Sequence, residues 1–180
     1  MTGIKITLIK RSDMIKKILI TGIPGSGKTT LAKPLAELLG AVHLNADEVR
    51  TMYDDWDFSM EGRIRQATRM KYLSDGITLT GKAVIADFVC PTSVLRDLYS
   101  PDYTIWMNTI KESRYTDTDE MFEAPTDSDY IVSKWFDDTH KQLLEVIKFY
   151  SAKLDDFKND RAEGSSLWNL ELKYDKKPGD

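Results

Sequence analysis

The stretch GIPGSGKTT, Gly22 to Thr30, follows the apolar run Ile18-Leu19-Ile20 and precedes LAKPLAELL. Gly22, Gly27, Lys28 and Thr29 satisfy the spacing GxxxxGK[ST]. Glycines at these positions let the backbone wrap so that its N–H groups point inward at phosphate oxygens, at the start of a helix. Lys28 would then bridge the β- and γ-phosphates, and the Thr29 hydroxyl would sit on Mg²⁺. Gly22, Pro24, Gly25, Ser26, Gly27, Lys28, Thr29 and Thr30 are therefore the expected nucleotide-binding residues, with ATP and Mg²⁺ as cofactors. A glycine-rich turn without a ligand is the alternative, and a strand before plus a helix after speak against it. The loop leaves open whether the phosphate is hydrolysed, passed on or sensed. A guanine-specific NKxD element is missing, and the chain is short for a motor ATPase.

With 180 residues, 41% apolar and 30% charged, the chain fits one globular domain with a continuous core. A net charge of −4 gives no global basic field for nucleic acid. The single cysteine, Cys90, allows no intrachain disulfide and fits a reducing compartment. No apolar run reaches membrane-spanning length and the N-terminus lacks a signal-peptide core, so a cytoplasmic location with no membrane partner is expected.

Short apolar runs at Ile18–Thr21, Ala41–Leu44, Ala83–Phe88, Tyr103–Met107 and Tyr130–Val132 read as buried strands. Helical patterns lie between them. Leu31, Leu35, Leu38 and Leu39 share a face, Gly40 is a C-cap, and Pro34 should kink or loosen that helix. Ser59 to Thr78 carries Met60, Ile64 and Ala67 at helical spacing, and Leu143, Ile147, Tyr150 and Leu154 mark a late helix. Strands alternating with helices predict an α/β fold, a doubly wound and mainly parallel five-stranded sheet with helices on both faces. The expected organisation is an N-terminal extension at 1–13, a core domain at 14–158 and a C-terminal extension at 159–180. Met14 opens MIKKILITG, itself a complete start. Ile4, Ile6 and Leu8, and Trp168, Leu170, Leu172 and Tyr174, alternate with polar neighbours as half-buried strands do. They offer pairing edges to each other or to a second copy, a homodimer on the latter reading.

An acceptor for the phosphate has to be read after the second strand, where open α/β sheets place their ligands. HLNADEVR supplies Asp47, to take a hydroxyl proton or hold a Mg²⁺ water, and Arg50, to clamp an anion. Otherwise Asp47 caps the next helix and Arg50 is a solvated charge. In DFSMEGRIRQATRM, Arg63, Gln66 and Arg69 fall near one helical face behind Phe58, which suits an anionic nucleotide or is a plain basic face. AVIADFVCP ends an apolar strand in Asp87, where an Asp usually reaches Mg²⁺ through water; the alternative is a cap for the next turn.

The ordered set GIPGSGKTTLA, LNADEVR, WDFSMEGRIRQATR, VIADFVCP with Arg96-Asp97, and FEAP resembles adenylylsulfate kinase. That family carries LDGDNVR, GFSxxDRxxNIRR, SFISP followed by RxxRD, and YExP in the same order. The resemblance spans about Ile18 to Trp135 and implies a P-loop NTPase fold. It implies transfer of the ATP γ-phosphate to the 3′-hydroxyl of adenosine 5′-phosphosulfate, a small-molecule nucleotide. It puts Asp47 beside acceptor and metal, makes Arg50 and Arg63 clamps on the phosphosulfate, and gives Phe58 to an adenine pocket. Gln66, Asp87 and Phe88 complete the acceptor side, Thr29 and Asp87 the metal side, and Arg114 is the charge-stabilising lid arginine.

The chain departs from that pattern at Asn45, Ala46, Gln66 and Asp87, and between Arg114 and Phe122 the lid is short. The acceptor pocket should therefore be more open. Asn45, Asp47, Arg50 and Asp87 also resemble the NxDxxR element and strand-end Asp of polynucleotide 5′-hydroxyl kinases. Nucleic acid enters as a partner only on that second resemblance. A third reading is an ATP-binding regulator without turnover, which the presence of Lys28, Thr29, Asp47 and Arg114 opposes.

Overall fold

The computed structural model describes residues 15–136 and 138–148. A compact unit runs over Ile15–Leu144. Its elements are β1 (Lys17–Thr21), α1 (Lys28–Leu39), β2 (Val42–Asn45), α2 (Ala46–Tyr53), α3 (Met60–Leu79), β3 (Val84–Asp87), α4 (Ser93–Tyr99), β4 (Tyr103–Met107), α5 (Thr116–Met121) and β5 (Tyr130–Val132). The strands form one sheet in the order β2-β3-β1-β4-β5, with every pairing parallel. Each expected strand is present to within a residue or two at its ends. The proposed terminal strands, Tyr150 and Leu154 lie outside the described residues; residues 139–148 are helical.

The apolar runs behave as a two-sided sheet requires. All five residues of β1 are buried, because a parallel sheet is covered on both faces. Leu19 and Ala86 join Val49, Ala67, Met70, Leu95 and Tyr99 in one cluster, so α2, α3 and α4 cover that face. Ile18 and Ile20 alternate to the other face, where α1 packs on β1, β2 and β3 with Leu31, Ala32, Leu35 and Ala36 buried. The helix α1 continues through Pro34. Gly40 caps it in the left-handed region, φ 62°, with its N–H donated to carbonyls of the last turn.

One helix face differs from expectation. Met60 and Ile64 are each 43% exposed. The buried side of α3 is instead Gly62, Arg63, Gln66, Ala67, Met70 and Ser74. The N-terminal half of this helix turns polar groups inward because it borders a cavity rather than the core.

The connection after β1 runs to one side of that strand and the connection after β3 to the other. Such a reversal between adjacent strands opens a crevice beyond their carboxyl ends, and the glycine loop and Asp87 lie there.

Candidate active site

A cavity of about 990 Å³ opens above these strand ends. Its lining takes residues from the glycine loop, the start of α2, the loop before α3, α3 itself, the segment after β3 and residues 110–118.

The loop side is built mostly from backbone. Gly22 passes so close to β4 that an added Cβ would lie 2.6 Å from the Met107 carbonyl oxygen. Thr109 donates its hydroxyl to the Ser26 carbonyl at 2.7 Å and ties the loop to the chain after β4. The helix α1 starts at Gly27 with no side-chain cap, which leaves its first N–H groups for an anion. The Lys28 ammonium donates to the carbonyls of Gly22 at 2.9 Å and Ile23 at 3.0 Å. Burial pushes its pKa down to about 8, against the opposing pull of Asp87 and Asp47. Desolvation makes this ammonium a strong seat for phosphate charge.

Asp87 is 2% exposed at the end of β3, and its carboxylate accepts from the Thr29 hydroxyl at 2.5 Å. It serves side chains from α1 and β2 and does not cap the following turn. Thr29 and Asp87 offer the hard oxygen donors that Mg²⁺ takes together with water and phosphate oxygens, so the pair fits that ion. Among the described residues no three His, Cys, Asp or Glu side chains gather around a metal-sized space.

On α2 the cap is Asn45, whose side-chain oxygen accepts the N–H of Asp47 and of Glu48, both at 3.0 Å. Asp47 is therefore not the cap. Its carboxylate is exposed on the cavity lining, close enough to Lys28 and Arg50 that its charge opposes the lowering of each pKa by burial.

The far side is an interlocked set. Arg50 donates to the carbonyls of Asp55 at 2.9 Å and Asp57 at 3.0 Å, and Arg63 to that of Phe58 at 2.9 Å and to Thr118 at 3.1 Å. Both guanidinium groups lie against the Phe58 ring, at 4.5 Å and 5.7 Å from its centre. Burial pushes both below the ordinary arginine value, opposed by Asp55 beside Arg50 and by Asp117 beside Arg63. Gln66 donates to the Ala46 carbonyl at 3.0 Å, which leaves its buried Oε1 without a protein donor. Arg69 does not join this group: it pairs with Asp55 at 2.7 Å and covers Tyr53. On the rim, exposed Arg114 stacks on Tyr115 at 4.9 Å, in a turn held by Ser113 donating to Asp119. Between Arg114 and Phe122, where a short lid is expected, the chain forms the helix α5.

The cavity thus unites Pro24, Gly25, Gly27, Lys28, Thr29, Thr30, Asp47, Arg50, Phe58, Arg63, Gln66, Asp87, Phe88 and Arg114. Ser26 is buried within the loop instead. Motif reading passed over Trp56 and Tyr115, both lining and both exposed. Two aromatics in polar segments with no apolar periodicity were the signal available for them.

A five-stranded parallel sheet in this order, with a glycine loop capping α1 and a strand-end Asp on the loop threonine, defines a P-loop NTPase fold. The AAA domain family matches residues 18–115, more than half of the 180-residue chain. This chain belongs to that family. It is 35% identical over 85 residues to a probable adenylyl-sulfate kinase of Aeropyrum pernix, covering 44% of this chain and 46% of that protein. It is 37% identical over 81 residues to a shikimate kinase of Acinetobacter baylyi, covering 43% and 45%. The matched segments thus span less than half the length of these curated relatives. The Mycobacterium tuberculosis APS kinase CysC, solved with AMPPNP and APS, superposes with a TM-score of 0.62 at 18% identity, over 75% of this chain and 99% of that one. A sugar kinase from Janibacter gives 0.54 at 18% identity, over 72% and 90%. At such identity the likeness speaks for the fold. No helix among the described residues is long and apolar enough to cross a membrane.

Proposed function

We propose that this chain is an ATP-dependent phosphotransferase acting on a hydroxyl of a nucleotide, adenosine 5′-phosphosulfate in the leading reading. One observation carries it: the same cavity holds the phosphate loop, the free carboxylate of Asp47, and two arginines fixed about an exposed aromatic ring. An ATPase that only hydrolyses has no use for the second half of that set. The resemblance of the motifs to adenylylsulfate kinase, and a relative of that name among the matches, support the acceptor.

In this reading the loop N–H groups and Lys28 hold the β- and γ-phosphates. Thr29 and Asp87 would hold Mg²⁺, which would neutralise phosphate charge. Arg50 and Arg63 hold the acceptor's anionic group, and Phe58 carries its base. The acceptor 3′-oxygen attacks the γ-phosphorus, the bond to the β–γ bridging oxygen breaks, ADP leaves, and Asp47 takes the hydroxyl proton. Lys28 and Arg114 stabilise the charge that spreads over the transferring group.

A second reading, transfer to the 5′-hydroxyl of a polynucleotide, draws support from Asn45 contacting Asp87 and from exposed Trp56 and Phe58 at the mouth. The test is a labelled-ATP assay offering adenylylsulfate, a 5′-hydroxyl oligonucleotide and buffer alone in parallel. Label in the nucleotide sulfate is expected. Label on the oligonucleotide moves the acceptor, and ADP with no labelled acceptor removes the kinase. Asp47→Asn should lower kcat about 10²–10⁴-fold with ATP affinity retained.

A further inference from the structure

The carboxylate of Asp87 is held from three directions, and one of them, His43, has no role in the function proposed above. The register of the sheet sets Asn45 opposite Asp87, with His43 one pleat earlier on the same face of β2. The Nε2 atom of His43 lies 2.9 Å from Asp87 Oδ1. Thr29 donates to the other oxygen, Oδ2. Asn45 Nδ2 reaches both oxygens, at 3.1 and 3.2 Å, and so does not distinguish them.

A carboxylate turns readily about its terminal torsion, which is broad and nearly two-fold. Asn45 tolerates that rotation because it straddles the two oxygens. The Thr29 hydroxyl can give its hydrogen to Oδ2 and keep its lone pairs for a cation, so it ties that one oxygen. The contact from His43 ties the opposite oxygen, Oδ1, and so keeps Oδ2 for that side. The other partners of Asp87 all donate to it, and a carboxylate only accepts, so Nε2 carries the hydrogen. The side chain of His43 is 16% exposed and that of Asp87 1%, so little water competes for this bond.

We propose that His43 is a positioning residue for the cation side of the site. Its Nε2–H fixes Asp87 so that Oδ2 stays aimed at the Thr29 hydroxyl and at the cation bound there. This rests on reading Thr29 and Asp87 as the Mg²⁺ pair, and the tests separate the two. Groups that orient a metal ligand from behind typically change metal affinity 10–100-fold.

Calorimetry with a non-hydrolysable ATP analogue, with Mg²⁺ and with EDTA, gives the affinity that Mg²⁺ adds. His43→Ala should lower that gain about tenfold and leave binding in EDTA unchanged. His43→Gln, whose amide can still donate, should restore most of it. A loss equal in both conditions would mean a merely structural histidine and overturn the proposal, as would a full Mg²⁺ gain in His43→Ala. If Mg²⁺ adds nothing to the wild type, the Thr29–Asp87 reading itself fails. The wild-type chain allows a second measurement, since it has only two histidines, His43 and His140. Long-range ¹⁵N NMR of the imidazoles should find His43 protonated at Nε2. A neutral ring with its only hydrogen on Nδ1 would overturn the proposal whether or not the variants fold.

Discussion

The two halves of the cavity, donor and acceptor in the function proposed above, are built by different means. The donor half comes from one continuous segment, Gly22 to Thr30, plus one residue, Asp87, and its contacts are mainly backbone. The acceptor half gathers side chains from α2, the loop before α3, α3 and the 110–118 segment, and these hold one another. Backbone geometry of the first kind leaves a fixed spacing in the sequence. The second kind leaves only residue types, because the position of Arg50 depends on carbonyls at Asp55 and Asp57 that any sequence possesses. The donor half is a local motif; the acceptor half is a product of the fold.

The largest effect should come from breaking the donor half at its one cationic side chain. Lys28→Met should reduce turnover by at least about 10²–10³-fold, since the ammonium meets charge that develops on transfer. The same change should stabilise the protein without nucleotide. Burial holds the Lys28 pKa at about 8 against an ordinary 10.5, so the unfolded chain binds this proton more tightly than the fold does. The cost to the fold is complete below pH 8 and fades as pH rises toward 10.5. Lys28→Met should therefore gain on the order of 1–3 kcal/mol at pH 7, with the gain vanishing across that window. Denaturant melts of both proteins at several pH values would check it. A variant less stable than the wild type at pH 7 would show that the ammonium's bonds to Gly22 and Ile23 outweigh its burial.

The difference in construction also explains what was legible beforehand. The five strands stood out because apolar runs flanked by helical patterns survive in any parallel sheet, and Gly40 marked its helix end by needing the left-handed region. Lys28 and Thr29 followed from spacing, and Asp87 from its place at the end of an apolar run. The inward face of α3 did not follow from apolar periodicity, which Met60 and Ile64 satisfy, because a cavity reverses the usual rule and buries Arg63 and Gln66; only the motif pattern pointed to those two. Asn45 as the cap of α2 was hidden by Asp47, an equally good capping residue by type. The role of His43 needed the register of two strands that sequence does not supply.

Gly62 offers a break confined to the acceptor half. An added Cβ there would lie 2.3 Å from the Asp57 carbonyl oxygen and 2.6 Å from the carboxyl carbon of Asp57. Gly62→Ala must push away the loop that fixes Arg50 and Arg63, at about 1–3 kcal/mol of stability. The acceptor KM should rise about tenfold or more, with the ATP KM within about twofold. Equal changes in both would mean that the two halves are mechanically one.

The outermost layer of that loop should matter least. Arg65 donates to Asp57 at 2.7 Å and to Asp55 at 3.2 Å on the surface. Ser59 first and then Arg65 hold the pKa of Asp57 down to about 2. Asp55 is likewise held below its ordinary value, by Arg65 foremost, and keeps Arg69 as a second partner. A lowered carboxylate pKa contributes stability above the ordinary value near 3.8, and loses it as pH falls through the folded value. Arg65→Ala should therefore shift Tm by no more than about 2 °C at pH 7, less in high salt, with the difference shrinking as pH falls from about 4 toward 2. Acceptor KM should stay within about twofold, because Arg50 and Arg63 donate to backbone carbonyls and, for Arg63, the Thr118 hydroxyl, and not to these carboxylates. A tenfold rise in KM would mean that the surface pairs, rather than the close approach at Gly62, hold the acceptor half in place.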